Sequence, residues 1–129
     1  MSHFSLIKMK IRNPNLTLLK RAVEMVAEEL GGELTTTIRD YYGRTMECAA
    51  ALRNNTFKRG VGVRVSARGE VEILGDFWGV PRSEVERFQQ LLVRNYTALA
   101  LQTALAQLGY QVQVQRVQDR VFVRGVALL

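Results

Sequence analysis

A single cysteine, Cys48, and a single histidine, His3, stand among the 129 residues of this chain. One cysteine excludes an intramolecular disulfide framework and a cysteine-rich metal site. One histidine cannot by itself build a metal cluster or complete a nucleophile–histidine–acid triad. No metal and no cofactor is therefore expected. Proline is also scarce, at two residues, and no low-complexity run or solenoid-length repeat interrupts the chain. One domain over residues 1–129 is the expectation. No stretch approaches the ~18 apolar residues of a membrane span. The opening Met1-Ser2-His3-Phe4-Ser5 lacks the charged region, apolar core and small-residue cleavage site of a secretory leader. A reducing, cytoplasmic compartment is expected, with no membrane partner.

What is present is enough for a core. Apolar residues make up 47 % and charged residues 23 %, and a chain of this length buries roughly two-thirds of its unfolded surface. The net charge of +6 favours polyanion partners through long-range attraction.

Apolar periodicity divides the chain into strands and two helices. Ile7, Met9 and Ile11 alternate with Lys8, Lys10 and Arg12, as in a half-buried strand. Asn13-Pro14 reads as a helix start. Leu16, Leu19, Val23, Val26 and Leu30 share one helical face, and Gly31-Gly32 ends it. Alternation then marks strands around Leu34–Arg39, Met46–Leu52, Val61–Val65 and Val71–Ile73. Asp40-Tyr41-Tyr42-Gly43-Arg44 and Ala67-Arg68-Gly69-Glu70 supply turns. Ser83 and Glu86 have capping-box spacing. The helix they open carries Val85, Phe88, Leu92, Tyr96 and Leu99 and runs toward Leu108. Val112, Val114, Val121 and Val123 close the chain as two strands around a turn at Gln118-Asp119. The expected fold is α+β, an antiparallel sheet of about five to six strands with two main helices on one face, in the order β-α-β-β-β-β-α-β-β.

Chemistry-bearing constellations are few. Lys58-Arg59-Gly60-Val61-Gly62 lacks the Lys-Ser/Thr pair that a phosphate loop needs, and a strand rather than a helix follows. Cys48 shares its alternation with Met46, Ala50 and Leu52, which predicts a buried, inert thiol. His3 with Asp40 or Asp76 is a candidate acid–base set for a small enzyme. Tyr41, Tyr42, Arg44, Asp76, Phe77 and Trp78 occupy junctions between regular elements, where aromatics line grooves or hold a partner; the competing expectation is that Phe77 and Trp78 cap the core. Lys8, Lys10, Arg12 and Arg64 are candidates for binding nucleic acid or another polyanion, with Arg116 and Arg124 joining them if their strands are neighbours. Glu47, Glu70 and Glu72 are positioned to pair with these cations across strands instead.

Three pieces in order carry a family resemblance: Met1-Ser2-His3-Phe4-Ser5 with Ile7-Lys8, Tyr42-Gly43-Arg44-Thr45, and Gly75-Asp76-Phe77-Trp78-Gly79. Over nearly its whole length the chain resembles the hypothetical chloroplast open reading frame thirty-five family, a domain of unknown function in algal plastids, cyanobacteria and other bacteria. Members often carry a segment like Tyr-Asp-Ile-Gly-Phe where this chain has Arg59-Gly60-Val61-Gly62-Val63, and alanine is usual where it has Gly75. The resemblance implies no catalytic residue. It implies an accessory role beside an AAA-type ATPase, and a plastid stroma location if the gene is plastid-encoded. The combined expectation is a non-enzymatic adaptor or regulatory module that binds a protein partner or itself. Pairing of an edge strand between subunits would give a homodimer.

Overall fold

Asn15, not Asn13, opens the first helix: its side chain accepts the Leu18 N–H at 3.1 Å, satisfying one of the orphan donors of a helix start. Asn13 adopts a left-handed φ of 48° and donates its N–H to the Gly69 carbonyl at 2.7 Å, so it ties the strand end to a neighbouring turn. The computed structural model describes residues 4–127. Its elements are β1 (Ser5–Arg12), α1 (Leu16–Leu30), β2 (Glu33–Arg39), β3 (Thr45–Arg53), β4 (Val61–Val65), β5 (Glu70–Gly75), α2 (Arg82–Gln107), β6 (Gln111–Val117) and β7 (Arg120–Val126). The order is the expected one. Among the described residues no helix is long and apolar enough to cross a membrane.

β1 to β5 form one antiparallel sheet in the order β1-β5-β4-β3-β2. One face receives both helices. Leu19, Val23 and Val26 of α1 and Val85, Phe88 and Leu92 of α2 pack there with Val61, Val63, Val71 and Ile73. The second helix begins without the expected capping box. Pro81 holds the cap position with no side-chain cap bond, and Ser83 falls inside the first turn.

β3 departs from simple alternation. A register shift against β2 falls between Thr35 and Thr37, which pair with Ala51 and Glu47. Bulged residues of this kind re-aim the side chains beyond them. Ala50 and Leu52 therefore enter the helix-side core. Met46, Cys48 and Ala51 lie with Ile38 and Leu74 in a smaller cluster. Gly62 makes room for that cluster, since a Cβ there would stand 2.4 Å from Cys48 Sγ.

Among the described residues β6 and β7 pair only with each other, as a separate two-stranded sheet. An isolated hairpin is marginal in water, and this one lies against α2. A polar cluster fastens it. Glu29 at the end of α1 pairs with Arg94 of α2, receives Asn95 Nδ2 at 2.9 Å, and meets Arg116 of β6 at 3.0 Å. Arg94 also donates to the Asp119 carbonyl in the hairpin turn at 3.4 Å. Asn95 is fully buried. Burial drives the Glu29 carboxyl upward, but the hydrogen bonds from Asn95 and Arg94 and the charges of Arg94 and Arg116 outweigh it and hold it below its ordinary value.

Candidate functional site

Two buried aspartates shape one end of the sheet. Asp40 closes the β2–β3 turn: its Oδ1 accepts the N–H groups of Tyr42 and Arg44, each at 2.9 Å, and Oδ2 receives Arg44 Nε. This is the local carboxylate-to-backbone bonding that favours Asp in turns. Burial pushes the Asp40 carboxyl up, and the amide and guanidinium of Arg44 with the Tyr42 N–H more than reverse it, leaving it below the usual range. Asp76 at the end of β5 joins two loops. Its Oδ2 accepts the Tyr41 N–H at 2.8 Å and its Oδ1 the Trp78 N–H at 3.2 Å. Both carboxylates are buried, at 2 % exposure, and their bonds fix the backbone of Tyr41, Tyr42 and Trp78.

The side chains of those three residues point outward. Tyr41, Tyr42 and Trp78 are 59 %, 65 % and 60 % exposed. The Tyr41 ring lies 5.4 Å from Tyr42 and 6.0 Å from Trp78, edge to face, a favoured geometry for aromatic pairs. Arg59, from the β3–β4 loop, braces the group. Its Nη1 donates to the Trp78 carbonyl at 3.0 Å, and its guanidinium stands 5.3 Å from the Tyr41 ring and 6.0 Å from Trp78. Arg44 lies 5.8 Å from the Tyr42 ring. A cleft of about 440 Å³ adjoins Arg59 and Trp78 and is also lined by Lys58, Pro81 and Glu84. The result is a platform of three aromatic rings with two guanidinium groups held against it.

Tyr41, Tyr42, Arg44, Asp76 and Trp78 thus come together from two separated sequence segments. Phe77 turns inward to Phe57, at 6.3 Å between ring centroids, and caps the core, whereas Trp78 does not. Arg59 was not among the platform candidates. Its only sequence signal is its place in a loop beside Gly60. Asp40 and Asp76 occupy the same end of the sheet, and His3 lies outside the described residues. Among the described residues no group of three His, Cys, Asp or Glu side chains is arranged to hold a metal.

The basic residues of the sheet are interleaved with acids. Lys8 lies opposite Glu72, and Arg12 opposite Glu70; Lys8 Nζ is 4.0 Å from Glu70, and Arg64 Nε bonds Glu72 at 2.9 Å. Lys8, Lys10 and Arg12 are exposed. Arg116 and Arg124 do not join them, because their strands belong to the separate hairpin. Cys48 is half-buried, and its thiol is pushed up to about 11 by burial, with Arg64 opposing the rise and Glu47 adding to it. A thiol so poorly ionised is a weak nucleophile near neutrality.

No family model, no curated protein and no solved structure matches this chain.

Proposed function

We propose that this protein is a non-enzymatic adaptor or regulatory module that captures a protein partner on the Tyr41–Tyr42–Trp78 platform. The observation that carries this reading is the exposure of three large aromatic rings together on backbone fixed by buried carboxylates. Exposed aromatics backed by arginine have the composition of interface hot spots. Rigid turns also reduce the ordering cost that binding must overcome. Arg44, Arg59 and Lys58 at the margin favour a partner segment that brings carboxylates alongside apolar side chains. The resemblance to the chloroplast open reading frame family makes an AAA-type ATPase the first partner to test.

Nucleic-acid binding through Lys8, Lys10, Arg12 and Arg64 is the weaker reading, because Glu70 and Glu72 face Lys8, Arg12 and Arg64 across the strands. The two readings separate in a capture experiment from source lysate at low and high salt. A protein retained at both salts, lost with Trp78→Ala and kept when Lys8, Lys10 and Arg12 become alanine, supports the platform. Nucleic acid retained only at low salt, and lost with the triple alanine variant, would replace it.

A further inference from the structure

The sequence between Arg94 and Arg116 contains no Asp, Glu, Lys or Arg. That stretch, 95 to 115, is 21 residues long, where the overall 23 % charged content would place about five charges. Asn95 is buried and Tyr96 and Leu99 pack against the core, but none of residues 96–127 is itself buried. Solvated helix faces normally carry charge, whereas the centres of protein interfaces are depleted of it.

One line of exposed residues along α2 is ordered, from Val93 just before this stretch to the cap residue Leu108. Val93, Thr97, Leu101, Ala104 and Leu108 are all exposed, the three large ones at 41 %, 44 % and 74 %. At 3.6 residues per turn they fall within an arc of about 80°. That arc lies opposite the buried side of the helix, which carries Val85, Phe88, Leu92 and Asn95. The hairpin leaves it open, packing at Leu105, whose Cδ2 lies 3.1 Å from the Cβ position of Gly125. Read in either direction the stripe runs large, small, large, small, large about Leu101.

We infer that this stripe along α2 is a self-association surface through which two copies of the chain pair antiparallel about a two-fold axis between Ala100 and Leu101. A two-fold contact requires that if residue i meets residue j, then j meets i. The stripe meets that condition about an axis between Ala100 and Leu101: Thr97 faces Ala104, Val93 faces Leu108, and Leu101 lies beside its own copy across the axis. Small residues beside each leucine let two helices interdigitate. Charge also selects the occupant. Two chains of +6 repel over most of their surfaces, and this face brings them together without opposing like charges. An unrelated partner would require neither the symmetry nor the absence of charge. The pairing is independent of the platform, which sits beyond the opposite end of α2. With about 20 residues between Leu101 and Pro81, the two platforms would stand roughly 60 Å apart, facing opposite ways.

Light scattering on the full chain should give twice the 14.6 kDa chain mass, and Leu101→Glu should return it to the single-chain mass with its helical circular dichroism unchanged. In a Cys48→Ala background, Leu101→Cys should form a disulfide-linked dimer under mild oxidation. Val93→Cys alone should not, and Val93→Cys combined with Leu108→Cys should. The cysteine set keeps the test decisive if the glutamate variant fails to fold. A single-chain mass up to millimolar concentration, a dimer unmoved by Leu101→Glu, or equal cross-linking of Val93→Cys and Leu101→Cys would overturn the inference.

Discussion

Asp76→Ala is expected to lower folding stability by about 2–4 kcal/mol and to abolish partner capture in the same variant. The size follows from what the carboxylate holds. Its two oxygens accept the N–H groups of Tyr41 and Trp78 from two different loops. Loss of an acceptor costs about 1–3 kcal/mol for each buried donor left without one. On a domain of this size that is a fall in Tm of roughly 10 °C. Asp76→Asn should lie between, because its amide offers one accepting oxygen and turns an N–H toward the other donor. Trp78→Ala makes the contrast. Its ring is exposed, so its stability should stay within about 0.5 kcal/mol of the parent while capture is lost. Thermal melts beside capture assays check both. An Asp76→Ala variant that melts with the parent would mean that the carboxylate does not hold the two loops.

Glu29→Ala should release the terminal hairpin. Glu29 is the common acceptor for Arg94, Asn95 and Arg116, and removing it leaves a buried amide and a largely covered guanidinium short of partners. A cost of about 2–3 kcal/mol is expected, less than for a fully buried pair because solvent reaches both side chains. The loss should concentrate in β6 and β7, which form a separate two-stranded sheet. Faster tryptic cleavage at Arg120 and Arg124 is the readout. Acid should reproduce the effect in the parent chain. The folded Glu29 carboxyl lies below its ordinary value of 4.5, so its contribution is complete above that value and is lost as pH falls through the lower, folded one. Hairpin amide exchange should accelerate in that window ahead of β4 and β5. Uniform loss of protection across all strands would contradict this role.

Element order was legible because apolar periods of two and 3.6 residues separate cleanly along the chain. What sequence did not reveal depends on backbone geometry or on contacts between distant segments. Asn13 and Asn15 are equally good caps by composition, and the left-handed turn at Asn13 decides between them. The β3 bulge moves Cys48 and Met46 away from Ala50 and Leu52, although strict alternation put all four on one face. The two valine-rich strands at the end read like sheet members. Only their packing on α2 shows that they form a hairpin of their own.

The platform was half legible. Tyr42 and Trp78 were marked by their junction positions, but which of Phe77 and Trp78 faces outward is set by the turn that Asp76 holds. Arg59 reaches the aromatics only through folding of the β3–β4 loop. Gly75 shows the same limit. As a letter it is a departure from the alanine usual in the resembled family. In the fold, a Cβ there would stand 2.3 Å from the Phe77 ring, so the glycine accommodates the inward aromatic beside the platform.

Trp78 is the only tryptophan in the chain, so its emission reports directly on the platform. Titration with the captured partner should shift that emission to shorter wavelength as the ring leaves water, with the same midpoint as binding measured independently. Binding that saturates while Trp78 emission stays unchanged would place the partner elsewhere and contradict the proposed function.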